Sequence, residues 1–130
     1  MRTNGLLEVA LYVDDMERSA AFYGALLGFE VIAAGERLQA LAVQNGQVLL
    51  LCKRTASAAL AAGAHDATGE QHVAFAVPAA DLDVWTDKLS RFGVAVEEKK
   101  KWPLGGRSLY FRDPDRHLIE LATPGVWSVY

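Results

Sequence analysis

A chain of 130 residues suits one domain with a real core, and 52% apolar against 22% charged residues is an ordinary globular balance. A net charge of −3 offers no counter-charge to a phosphate backbone, so nucleic acid is excluded as the expected partner. One cysteine, Cys52, excludes an internal disulfide and fits a reducing compartment. Glu8 breaks the N-terminal run too early for a signal peptide, and no apolar run reaches bilayer length, so a cytoplasmic protein without a membrane partner is expected.

The first expected strand is LLEVALYV, residues 6–13. A helix follows: Asp14 and Glu17 have capping-box spacing, and Met16, Ala20, Tyr23 and Leu27 recur at helical steps. Gly28 stands where a left-handed helix cap belongs. Strands are expected near 29–34, 37–43 and 47–53, with Asn45-Gly46 as a hairpin turn. The small and polar stretch 55–69 reads as a linker. The pattern then repeats. QHVAFAV, 71–77, is a strand, and Leu82, Trp85, Leu89 and Phe92 mark a helix that Gly93 closes. Strands are expected near 94–98, 107–112 and 117–123, with Lys99-Lys100-Lys101 in the loop before the second of them. Strand, helix and three strands, twice over, is an internal duplication. The expected fold is α+β, a single domain of two βαβββ modules (about 5–54 and 70–124) forming a curved mixed sheet around a pocket.

Side chains alternate across a strand. Leu7, Val9, Leu11 and Val13 share one face of the first strand, and Val73, Phe75 and Val77 share one face of its counterpart. These faces suit the helices. The opposite face carries Glu8, His72 and Glu120 among Ala, Leu and Tyr. A lone strand Glu is commonly solvated, and a lone strand His is commonly a half-buried hydrogen-bonding residue. Matched places in a duplicated unit, among apolar neighbours, point instead to ligands of one divalent ion, since an isolated carboxylate there is costly. Oxygen donors with one imidazole suit Mn, Fe, Zn or Ni better than Cu. Cys52 shares its face with Leu50 and reads as a small buried hydrophobe without a base. His65 reads as a solvated linker residue and His117, of opposite parity to Glu120, as a turn residue.

The runs LLEVALYVDDMERSAAFYGALLGFEV, EQHVAFAVPAADLDVWTDKLSRFGV and RSLYFRDPDRHLIELATPG resemble the vicinal oxygen chelate superfamily. That superfamily includes glyoxalase I, bleomycin-resistance proteins, extradiol dioxygenases and fosfomycin-resistance enzymes. The resemblance implies metal ligands on the first and last strand of each module: Glu8, Leu50, His72 and Glu120. Leu50 cannot ligate or exchange a proton, which argues against glyoxalase-type isomerisation. Glu8, where relatives carry His or Gln, argues against an extradiol dioxygenase. Fosfomycin thiol transferases look closest in layout, and their pattern implies substrate contacts at Ser108, Tyr110 and Lys100, but their basic residue after the last strand is Val129 here. Two readings stand. One is a metal-dependent lyase, isomerase or thiol transferase acting on a small oxygenated molecule, with Glu8, His72 and Glu120 on the metal, Tyr110 and Lys100 in catalysis, and Tyr12, Trp102 and Ser108 against substrate. The other is a metal-free small-molecule or drug-binding protein of the bleomycin-resistance type. The resemblance also implies a homodimer whose sites are shared between chains.

Overall fold

The computed structural model describes all 130 residues, Met1–Tyr130. It divides into two compact units, Met1–Gly69 and Glu70–Tyr130.

The first unit runs β1 (Glu8–Val13), α1 (Met16–Leu27), β2 (Glu30–Ala34), β3 (Leu38–Ala42) and β4 (Val48–Lys53). Its sheet has the order β1-β4-β3-β2, with β1 parallel to β4 and the remaining neighbours antiparallel. The parallel step is what a helical crossover delivers; the antiparallel ones need only short turns. Leu11, Val13, Leu41, Leu49 and Leu51 are buried, and so are Ala20, Tyr23 and Leu26 of α1. Fully burying a Leu stabilises by about 1.5–3 kcal/mol, so this layer dominates the unit. Asp15, not Asp14, caps α1, accepting from Arg18 N at 3.0 Å. Asp14 instead pairs with Arg54 at 3.0 Å. Gly28 closes the helix at φ 76°. The expected Asn-Gly turn forms, with Asn45 at φ 61° and Gly46 at φ 72°.

The second unit repeats this order as β5 (His72–Ala76), α2 (Leu82–Arg91), β6 (Glu98–Lys101), β7 (Arg107–Arg112) and β8 (Leu118–Ala122). Its sheet is β5-β8-β7-β6, again with one parallel pair. Leu82 and Leu89 of α2 are buried, as are Leu109, Phe111, Ile119 and Leu121 of the sheet. The strand expected at 94–98 begins only at Glu98, because Val94 is drawn into closing α2, its N–H donating to Leu89 O at 2.9 Å. The lysine run expected as a loop is therefore strand β6 and pairs with β7. No helix is long and apolar enough to cross a membrane.

Candidate metal and ligand site

The register of the second sheet decides which side chains meet. Glu98, Tyr110, Glu120 and Ala74 lie in one row across the four strands. Lys100, Ser108, Ala122 and Ala76 lie in the next row on the same face. His72 pairs with Leu118, two residues before Glu120, and so reaches Glu120 diagonally.

Glu120 is only 6% exposed. Its Oε1 accepts from Ser108 Oγ at 2.5 Å, and Ser108 Oγ accepts from Trp102 Nε1 at 2.8 Å. Lys100 Nζ lies 3.9 Å from the centre of the Trp102 ring. Trp102 is thus held in place by a hydrogen bond to the sheet. The Tyr110 hydroxyl is pushed above its usual pKa, first by burial and then by hydrogen bonding to the Glu120 carboxylate. It stays protonated at neutral pH and acts as a donor.

The imidazole of His72 carries the central observation. Its Nδ1 lies 3.0 Å from the Leu118 carbonyl oxygen, which can only accept, so Nδ1 bears the proton. In the neutral ring Nε2 then presents a lone pair, and it lies 3.3 Å from Glu120 Oε2. Two acceptors at that distance repel each other unless a proton or a cation stands with them. Two ligands about 2.1 Å from one ion, with an angle of about 90–109° between them, lie about 3.0–3.4 Å apart. The pair fits a divalent ion, and the Nδ1 bond to a carbonyl is the usual orienting contact of a ligating histidine.

The first unit holds Glu8 exposed at the start of β1, on the face shared with Ala10 and Tyr12. Leu50, half-buried between Ala10 and Ala40, is where the resemblance places a fourth ligand. Tyr12 hydrogen bonds His65 Nδ1 at 2.5 Å, with the two rings edge to face. Burial raises the Tyr12 pKa, helped by Cys52 and Asp66. His65 is therefore engaged, although its place in an irregular loop carries no periodic signal that would have announced it. Cys52 is 1% exposed, and burial pushes its thiol up, followed by Glu8, with Arg37 opposing. A thiol held neutral is a poor nucleophile. His117 is fully buried: its Nδ1 accepts from Gln71 N at 2.9 Å, and its backbone N–H donates to Asp113 Oδ1 at 2.8 Å. It fastens the β7–β8 turn to the start of β5 and is no ligand. Neither unit by itself brings three or more His, Cys, Asp or Glu together around one point.

Comparison with known proteins matches residues 5–121 to the Glyoxalase/Bleomycin resistance protein/Dioxygenase superfamily. The chain belongs to that superfamily. The protein YraH of Bacillus subtilis is 30% identical over 124 residues, covering 89% of this chain and 95% of its own. The fosfomycin resistance protein FosX of Listeria monocytogenes is 27% identical over 123 residues, covering 91% of this chain and 88% of its own. The structure of lactoylglutathione lyase from Agrobacterium tumefaciens matches with a TM-score of 0.91 at 28% identity, covering 98% of this chain and 99% of its own. The α+β fold with two mixed four-stranded sheets is the one these structures share.

Proposed function

We propose that the chain is a metal-dependent enzyme of the superfamily, acting on a small oxygenated molecule that chelates a divalent ion. The observation that carries this reading is the His72–Glu120 pair, with two acceptor atoms 3.3 Å apart and the imidazole fixed through Nδ1. Glu8 would complete the ligand set, as the resemblance implies. A bound divalent ion would supply Lewis-acid polarisation of substrate oxygens.

The chain's own side chains give the rest. Ser108 holds the Glu120 carboxylate by a hydrogen bond to Oε1, so that Oε2 is left for the ion. Tyr110 keeps a proton to donate to substrate oxygen. Lys100 brings a cation to the row containing Ser108, where an anionic substrate group would be held, and Trp102 walls that side. Tyr12, with His65 behind its hydroxyl, would orient substrate from the first unit. Leu50 leaves no carboxylate at the second ligand position, which favours addition or group transfer over proton-shuttling isomerisation. The metal would be Mn, Fe, Zn or Ni. A homodimer and a cytoplasmic location, which the lone reduced Cys52 fits, complete the proposal. One observation favours metal-free binding instead: the second unit supplies only two donors and Glu8 is exposed.

Elemental analysis after purification without chelators, followed by thermal melts with each metal, separates the two. At 100 times Kd a ligand of the native state stabilises by about 2.7 kcal/mol, which is roughly a 10 °C rise in Tm at this chain length. That rise is expected for wild type and should vanish in His72→Ala. Equal rises in both proteins would remove His72 from the site, and no rise with any metal would select the binding-protein reading.

A further inference from the structure

We infer that the second unit carries a separate oxyanion site, formed by Lys99, Lys101 and Arg107 between α2 and the β6–β7 hairpin, that takes a phosphate group. Strand alternation divides the lysine run. Lys100 points to the face of Ser108 and Trp102, whereas Lys99 and Lys101 pair with Leu109 and Arg107 and share the face turned to α2. A cavity of about 140 Å³ opens there, lined by Asp83, Thr86 and these three cations, and also by Lys100 and Ser108 of the same strand pair.

The charges in that cavity are not balanced. Lys101 and Arg107 stand directly opposite each other across β6 and β7, a like-charge pair that destabilises a sheet. Neither Lys99 nor Lys101 has an acidic partner. Arg107 is anchored by Nη2 donating to Ala79 O at 3.0 Å. Its Nη1 lies 3.8 Å from Asp83 Oδ1, a loose contact to a carboxylate that is 87% exposed. On the face turned to α2, Lys99, Lys101 and Arg107 against Asp83 leave two positive charges, which matches a phosphate dianion. Lysines on an edge strand also deter edge-to-edge pairing. That role does not account for Arg107, which sits on the inner strand β7 and adds the repulsion. The net charge of −3 gives no long-range attraction for a polyanion, so the ligand is small: free phosphate or the phosphoryl group of a phosphomonoester.

The test is a set of thermal melts of the full chain with chelator present, using inorganic phosphate against chloride at equal ionic strength. Phosphate should give a saturable rise in Tm that chloride does not. Lys101→Gln should weaken the apparent phosphate Kd by about tenfold or more, because a charge-assisted contact is lost. Without phosphate the same variant should melt no lower than wild type, since it removes the opposed charge. Arg107→Gln should lose the phosphate response as well, and His72→Ala should keep it, which separates this site from the metal site. A larger rise with glycerol 3-phosphate would support the proposal with a phosphomonoester as ligand, and a smaller one would support it with free phosphate. Equal rises with phosphate and chloride, or a full phosphate response in Lys101→Gln, would overturn it.

Discussion

Glu120 is a carboxylate removed from water between Tyr110 and Ala74 in its row of the sheet, and such a group is costly unless its oxygens are used. Ser108 and Tyr110 answer for part of that cost, and His72 faces the rest without a proton to give in its neutral form. Glu70 shows a carboxylate under the opposite regime. It is half-exposed, and its oxygens accept from Arg112 Nη1 and Arg116 Nε, each at 2.9 Å. The hydrogen bond from Arg116 draws its pKa below the ordinary 4.5, against an opposing effect of burial and with help from the Arg112 charge. A carboxyl lowered in the folded state adds stability above its ordinary value, and that stability is lost as pH falls through the lowered one. In urea unfolding from pH 7 to pH 3, Glu70→Gln should therefore be less stable than wild type at pH 7, and the gap should close toward pH 3. A gap of constant size would show that shape, not charge, holds Glu70. At this scale strand parity made the neighbours of Glu120 readable, because alternation is a property of the chain itself. The Trp102–Ser108 bond and the Tyr12–His65 bond were not readable, because each joins a strand to an irregular segment with no period.

Elements that carry apolar residues announce themselves; elements that do not stay silent. Both helices and β1, β2, β3, β4, β5, β7 and β8 were legible because their apolar residues recur at helical or alternating steps or stand in short runs between turn residues. β6 was expected too early in the chain because Glu98, Lys99, Lys100 and Lys101 are all exposed and contain no apolar residue to alternate. The apolar Val94–Val96 segment drew the assignment away from it. The segment after β8 is joined to the turn before β7 by two glycines, which no periodicity reports. A Cβ on Gly106 would stand 2.2 Å from Val126 N and 2.3 Å from Gly125 C, which are backbone atoms with no rotamer to yield. Gly125, at φ +92°, would clash with Gly106 N and Leu104 O at 2.7 Å. Gly106→Ala should cost about 3 kcal/mol or more in chemical denaturation, at the upper end for overpacking. Gly105→Ala meets open space and bears only the strain of φ +91°, about 1 kcal/mol. Equal costs for the two would mean that the C-terminal segment does not pack on this turn.

For the whole molecule, the proposed ligands divide unevenly between the units: Glu8 in the first, His72 and Glu120 in the second. Each sheet also ends in two edge strands, β1 and β2 in the first and β5 and β6 in the second. Edges invite pairing, and two-fold symmetry lets two copies cover equivalent edges at once. The proposed homodimer follows, with Glu8 of one chain completing the site of its partner. Light scattering at micromolar concentration should then give twice the chain mass of 14.1 kDa, and a clean monomer would end the proposal. Sharing is tested by complementation. Glu8→Ala and His72→Ala proteins each lack one ligand in every site and should bind no metal tightly. Mixed and allowed to exchange, random pairing makes about half the dimers mixed. In each of those, one site combines the intact Glu8 of one chain with the intact His72 of the other, and the second site carries both losses. About a quarter of the wild-type metal content should therefore return on mixing. If each chain closed its own site, every site in the mixture would still lack a ligand and mixing would restore nothing.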